Sequence, residues 1–257
     1  MMLGEMTWPA FDDATRNPAP GTGEDAGMVI VPVGAVEPHG PHLPLAADTM
    51  ISDYFAGRLV RDLPGALVAP TIGYGVATPP QRLGGDFPGV LNVSGEVFTR
   101  LVGEVLAGLA RHGLRRLVVV NSAIDNISFL CEAARIVTDA VPATRVMIVS
   151  WWDVVGEDFR DALAAETGVA RDVDHHAGMV ESSLVMHIAP HATRPAPAGA
   201  DGGPPRRFTY HVLPLPADAA TADGVVYTAA GSSPGIGARV AEQVAYQLAD
   251  AVRREMR

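Results

Sequence analysis

The stretch "GMVIVPVGAVEPHGPHLPLAAD" (27–48) decides how the rest of the chain is read. Its first half holds "MVIVPV" (28–33), a short β-branched run without polar alternation, the pattern of a strand buried on both faces of a parallel sheet. Its second half carries Glu37, His39, His42 and Asp48 directly beyond that strand. In extended chain, residues two apart project to the same side, so Glu37 and His39 share a face. Taken alone these residues have other roles open to them. Asp48 stands where a helix N-cap would stand, as do Ser94 and Asp125 further on.

Working outward, "ALVAPT" (66–71), "RLVVVNS" (116–122) and "RVMIVSWW" (145–152) read as further strands. Between them 48–63, 94–113 and 125–141 place apolar residues three and four apart, as covering helices do. This alternation predicts an α/β fold, a single domain over 1–257, with a mostly parallel central sheet flanked by helices on both faces. A last helix follows "SSPGIG", Pro234 suiting its first turn; the "GIG" follows no strand, which argues against a nucleotide loop. Residues 190–232, rich in Pro, Ala and Gly, read as a surface excursion with a strand at 207–215.

Composition narrows the function classes. A net charge of −10 over 257 residues, with basic residues only in pairs such as Arg115–Arg116, Arg206–Arg207 and Arg253–Arg254, argues against a nucleic-acid partner. No apolar run approaches the roughly 20 residues that cross a bilayer. All 19 basic residues are arginine, so lysine Schiff-base and lysine-nucleophile mechanisms are excluded. One cysteine, Cys131, cannot build a disulfide framework, and the expected compartment is the cytoplasm. In "ISFLCEAARIV" it reads as a packed core residue.

Open parallel sheets bind ligands beyond the carboxyl ends of their strands. That rule gathers Glu37, His39, His42, Asp48, Thr78, Asn121, Asp125, Trp151, Trp152 and Asp153 at one edge, with His175, His176 and Glu181 arriving from "VDHHAGMVESS". Carboxylate oxygens with imidazole nitrogens suit Mn²⁺ or Zn²⁺. Glu181 reads either as a buried acid orienting His39 or His176, or as an acid favoured at a helix N-terminus. His42 reads as bonding a backbone carbonyl or touching a ligand, Trp151 as core, and His112, His187, His191 and His211 as ordinary.

"PVGAVEPHGPHLPLAAD" (32–48) resembles the signature of the creatininase family, metal-dependent amidohydrolases that open creatinine and related cyclic or formyl amides. The resemblance runs on through "EMTW" (5–8), "GGDFPG" (84–89), "LARHGLRRLVVVN" (109–121), "VSWWDVV" (149–155) and "HHAGMVESS" (175–183). It implies a binuclear site in which Glu37 and His39 each hold an ion and Asp48 bridges them. The remaining ligands, a histidine for the ion of His39 and an acid for the ion of Glu37, fall in "NSAIDN" (121–126), where the histidine position is Ala123 and the acid position Asp125. Alanine offers no donor, so the ion of His39 loses a ligand and one ion, Mn or Zn, held by Glu37, Asp48 and Asp125, is expected in preference to two, with a metal-free pocket as the remaining alternative.

The resemblance further implies that His176 transfers the proton to the leaving nitrogen, that Thr78 contacts substrate and that Trp152 closes over it. His175 and Asp172–Val173 depart from the residues of creatinine-opening members, which points to a substrate other than creatinine. The expectation is therefore an amidohydrolase-like enzyme acting on a C–N bond of a small cyclic amide, guanidino or other nitrogen-rich metabolite, in specialised metabolism. His176, Asp125 and Glu37 are its catalytic candidates, and Glu37, His39, Asp48 and Asp125 its metal ligands. Thr78, Trp152, His175 and Asp172 are its substrate contacts. The alternative is non-hydrolytic acid–base chemistry (cyclisation, dehydration or condensation) at a degraded metal site. A homo-oligomer, a hexamer by resemblance, is expected.

Overall fold

The structure, a computed structural model, describes residues 1–16, 25–76, 87–195, 221 and 223–257. Strands β1 (Met28–Val33), β2 (Leu67–Val68), β3 (Arg116–Asn121) and β4 (Arg145–Ser150) form one parallel sheet in the order β2-β1-β3-β4. Among the described residues the helices are α1 (Trp8–Arg16), α2 (Ala47–Asp62), α3 (Gly95–Arg111), α4 (Ile127–Ala140), α5 (Glu157–Thr167), α6 (Met179–Ile188) and α7 (Pro234–Glu255). None is long and apolar enough to cross a membrane.

Alternation along the buried strands feeds two cores. Met28, Ile30, Val118 and Val120 meet α2, α6 and α7, whereas Val29, Val31, Val33, Leu117 and Val119 meet α3 and α4 on the opposite face. Both faces of the sheet are thus covered, as the continuous apolar runs require. Pro32 is unusual in a strand with a neighbour on each side, because proline cannot donate to a ladder. Its carbonyl accepts from Ile72 N at 3.0 Å, so its peptide faces the β2 edge at a level where β2 has already ended at Val68. Ala69 N still donates to Ile30 O at 2.9 Å, and β2 ends at Val68 where Pro32 has no N–H to return the next bond. Pro70 likewise cuts the 66–71 run down to β2.

Several expectations change. Strand β4 stops at Ser150, and Trp151–Val154 coils into a 3-10 turn. Asp48 is not an N-cap: Ala46 holds that position without a side-chain bond, and Asp48 lies inside the first turn of α2. Asp125 sits in the 3-10 turn Ile124–Asn126, with Asn126 preceding α4. Ser94 does cap α3, accepting from Val97 N at 3.4 Å. Cys131 is exposed rather than packed, because the buried stripe of α4 is Leu130, Ala133, Ala134 and Val137 and position 131 turns off it. The 207–215 strand lies outside the described residues.

Two glycines explain how closely the layers approach. A Cβ on Gly34, just past β1, would stand 2.5 Å from Thr49 N, so glycine lets the first turn of α2, and Asp48 with it, sit against the strand end. In the "GIG", a Cβ on Gly237 would stand 1.9 Å from the Ser183 carbonyl oxygen, so this motif serves the crossing of α6 and α7. Gly237→Ala is expected to lower stability by about 1–3 kcal/mol through overpacking. Gly57→Ala, inside α2 with nothing within 4 Å of its Cβ position, is expected to raise it by up to about 1 kcal/mol. Denaturant midpoints of the two variants check the pair.

Candidate metal centre

The loop after β1 is held at both ends. Glu37 N donates to Leu45 O at 3.0 Å and Gly34 N to Ile72 O at 3.0 Å, and Gly40 takes a left-handed φ of 68° between them. These bonds fix Glu37 and His39 over the carboxyl edge of the sheet, opposite Asp48 of α2. Helix α6 supplies Glu181 from its first turn, and the residues before it supply His176. The sequence-expected residues Glu37, His39, Asp48 and His176 are therefore brought together. Two overlapping donor sets result, Glu37–His39–His176 and His39–Asp48–Glu181, and within each set the ligand atoms lie within 4.8 Å of one another.

Backbone carbonyls fix both imidazoles. His39 Nδ1 donates to Glu37 O at 3.2 Å, which turns Nε2 towards Asp48 Oδ1 at 3.3 Å and Glu181 Oε2 at 3.7 Å. His176 Nε2 donates to Pro38 O at 2.7 Å, which turns Nδ1 towards Glu37 Oε1 at 3.6 Å. The rings lie 4.3 Å apart by their centroids. Metal-ligating histidines characteristically spend one nitrogen on such an acceptor and present the other. His39 Nε2 and Asp48 Oδ2 are buried and make no hydrogen bond among the described residues. Buried polar atoms left this way are costly, and a cation between the two side chains would satisfy both.

The electrostatics agree. Burial lowers the pKa of His39, but the carboxylates of Asp48, Glu181 and Glu37 outweigh it and raise the imidazole to about 10. Burial, then the neighbouring Glu37, holds the Asp48 carboxyl well above its usual range despite the opposing pull of His39. A proton on His39 thus offsets the carboxylates where a divalent ion would otherwise do so. Carboxylate oxygens with an imidazole nitrogen fit Mn²⁺ or Zn²⁺.

The other candidates are distributed around this cluster. Asp125 is half-buried and belongs to neither donor set. Ala123 is buried and presents a methyl group. Trp152 is half-buried, its ring meeting the edge of the buried Trp151 at 5.8 Å, and its carbonyl accepts from Arg160. His175 and Asp172 are exposed, with His175 Nε2 donating to Asp172 O at 3.1 Å and its ring 5.2 Å from that of Tyr227. Thr78 lies outside the described residues. His42 bonds a side chain rather than a carbonyl: Ser182 Oγ donates to Ala177 O at 3.1 Å, so His42 Nε2, 2.7 Å away, is the donor to that hydroxyl.

Asn126 and Ser52, which the sequence did not single out, hold the site in place together with Asn121, which it placed at the same edge without a role. Asn126 donates to Gly34 O at 3.1 Å and Asn121 Oδ1 at 3.3 Å, and accepts from Val76 N at 2.9 Å. Asn121 also donates to Ser150 Oγ at 3.0 Å, tying the ends of β3 and β4. Ser52 bonds Val33 O and Ser122 Oγ, both at 2.7 Å, locking α2 to the ends of β1 and β3. No local pattern marks such residues, since Asn and Ser beyond strands usually serve turns and caps.

Because His39 carries its proton well above neutrality in the metal-free protein, an ion at its Nε2 has to displace that proton. Mn²⁺ affinity is expected to rise by about tenfold per pH unit from pH 6 to 8, with about one proton released per ion. Isothermal titration in buffers of different ionisation enthalpy measures both, and an affinity flat with pH would contradict the arrangement.

Comparison with known proteins assigns the site to a family. A family profile described as creatininase, creatinine amidohydrolase, matches residues 4–252. Creatinine amidohydrolase of Pseudomonas putida is 28% identical over 264 residues, covering 99% of this chain and 97% of that protein. The mycofactocin precursor peptide peptidase of Mycolicibacterium smegmatis is 32% identical over 168 residues, 63% of this chain and 58% of the relative. A solved structure of creatininase with Mn superposes with a TM-score of 0.86 at 27% identity, covering 99% of this chain and 98% of that one. The match over nearly the whole length makes this chain a member of the creatininase family.

Proposed function

We propose that the protein is a metal-dependent amidohydrolase that cleaves a C–N bond of a small cyclic amide, guanidino or other nitrogen-rich metabolite other than creatinine. The observation that carries this reading is the buried, unbonded pair His39 Nε2 and Asp48 Oδ2 among three carboxylates. Family membership adds the reaction class, and the similarity to an amidohydrolase and to a peptide peptidase supports an amide-type bond as the common chemistry. A small-molecule substrate and a homo-oligomer belong to the same reading.

The metal ligands would be His39 and Asp48 for one ion, and Glu37, Asp48 and Asp125 for the other; the buried His39 Nε2 and Asp48 Oδ2 favour the first of these. When bound, a divalent ion at such a set polarises a carbonyl or lowers the pKa of a water. His176 is the proton carrier. Its Nε2 is committed to Pro38 O, its Nδ1 faces Glu37 Oε1 at 3.6 Å, and its side chain, 19% exposed, is open to an entering substrate. It can take a proton from the attacking group and release it to the leaving nitrogen. Trp152 would cover the substrate. Thr78, His175 and Asp172 would contact it, and the departures at His175 and Asp172 support a ring other than creatinine. Ala123 favours one second reading, acid–base chemistry without water as a reactant.

Chelation is expected to abolish turnover and Mn²⁺ or Zn²⁺ to restore it; a metal-free protein with full activity would contradict the proposal. Mass spectrometry of the product separates the two readings, since hydrolysis adds the mass of one water. His176→Asn is expected to lower kcat by about 10²–10⁴-fold with bound metal unchanged. Loss of the metal together with kcat would make His176 a ligand instead.

A further inference from the structure

The structure assigns to Glu181 a role as a direct ligand of the ion held by His39 and Asp48. The inference rests on the metal-dependent reading above and extends it. Glu181 lies in the first turn of α6, and its side chain is 9% exposed beside the fully buried His39 and the 1% exposed Asp48. Its Oε2 accepts from Ala177 N at 2.7 Å, a bond that fixes the carboxylate and leaves it acceptor capacity for a cation. From His39 Nε2 the distances are 3.3 Å to Asp48 and 3.7 Å to Glu181.

Those separations decide between two roles. A charge-assisted hydrogen bond from an imidazole to a carboxylate closes to about 2.7–2.9 Å. Ligand atoms about 2.0–2.2 Å from a tetrahedral ion stand roughly 3.3–3.6 Å apart. From His39 Nε2, Asp48 at 3.3 Å falls within that span and Glu181 at 3.7 Å just beyond it, and both stand farther off than hydrogen-bonding partners do. The turn at Ile124–Asn126 brings no donor into this set: residue 123 offers a methyl group, and its peptide is tied to Asn121, whose side chain bonds Ala123 O at 2.8 Å and Ala123 N at 3.2 Å. Glu181 is the third donor that completes the set, an oxygen from α6 instead of a side chain from the β3 edge.

The test titrates Mn²⁺ and Zn²⁺ into the full chain, Glu181→Gln, Glu181→Asp and the control Glu166→Gln, an exposed ion-pair residue on α5. It also records the visible absorption of the Co²⁺-saturated proteins. Glu181→Gln keeps the shape and an acceptor for Ala177 N but weakens the ligand. Its metal affinity is expected to fall at least about 100-fold, the upper end of what losing a merely orienting partner costs, with a changed Co²⁺ spectrum. Glu181→Asp, which retains charge and draws the oxygen back, should lose about tenfold or more and decides the matter if Glu181→Gln does not fold. The control should match the parent. Binding by Glu181→Gln equal to the parent, or weaker binding with an unchanged Co²⁺ spectrum, overturns the ligand role and leaves the metal-dependent reading standing. A parent chain that binds none of the three ions overturns both.

Discussion

Three carboxylates, Glu37, Asp48 and Glu181, are buried around one imidazole, and the rest of the site follows from that concentration of charge. Removing an ionised group from water costs several kcal/mol even after relaxation, and repulsion between like charges adds to it. The pairings shown for these carboxylates are with His39 and His176, and the chain has no lysine. A proton shared between His39 and Asp48, or a divalent ion, answers the charge. A pocket that relies on one when it lacks the other is a cation site in which folding and loading are linked.

The scaffold keeps this arrangement from relaxing. Left free, the carboxylates would turn outward to water and the imidazole would close to an ordinary hydrogen bond. They are restrained by backbone contacts instead: Glu37 O on His39, Pro38 O on His176, Ala177 N on Glu181. Behind them, Asn121, Asn126 and Ser52 join the carboxyl ends of the strands to the start of α2 and to the turn before α4. Gly34 allows α2 to begin close enough for Asp48 to enter the pocket. A sheet edge of this kind gives fixed donors to a site whose substrate side can differ from one family member to another.

Much of this was legible in the sequence because the signals were local. The β-branched runs marked β1, β3 and β4, the helical periods marked α2, α3 and α4, and Glu-x-His beyond β1 marked the site. Where distant segments decide, the sequence misled. Asp48 looked like a cap because a short acid before a helix usually is one, but His39 takes its side chain. Asp125 had the same look, and Asn126, which does the joining there, carried no mark. Cys131 sat in an apolar period yet fell just off the buried stripe. Glu181 could be weighed only as a helper, because the contact with His39 spans more than a hundred residues and no spacing rule encodes it.

The most direct measurement is an anomalous difference map from crystals of the protein grown with Mn²⁺ or Zn²⁺, with data collected on both sides of the metal edge. A cation site built by this cluster predicts a peak against His39 Nε2, within bonding distance of Asp48 and Glu181. A map without a peak there at saturating metal, with His39 closed onto Asp48 in a short hydrogen bond, would contradict it.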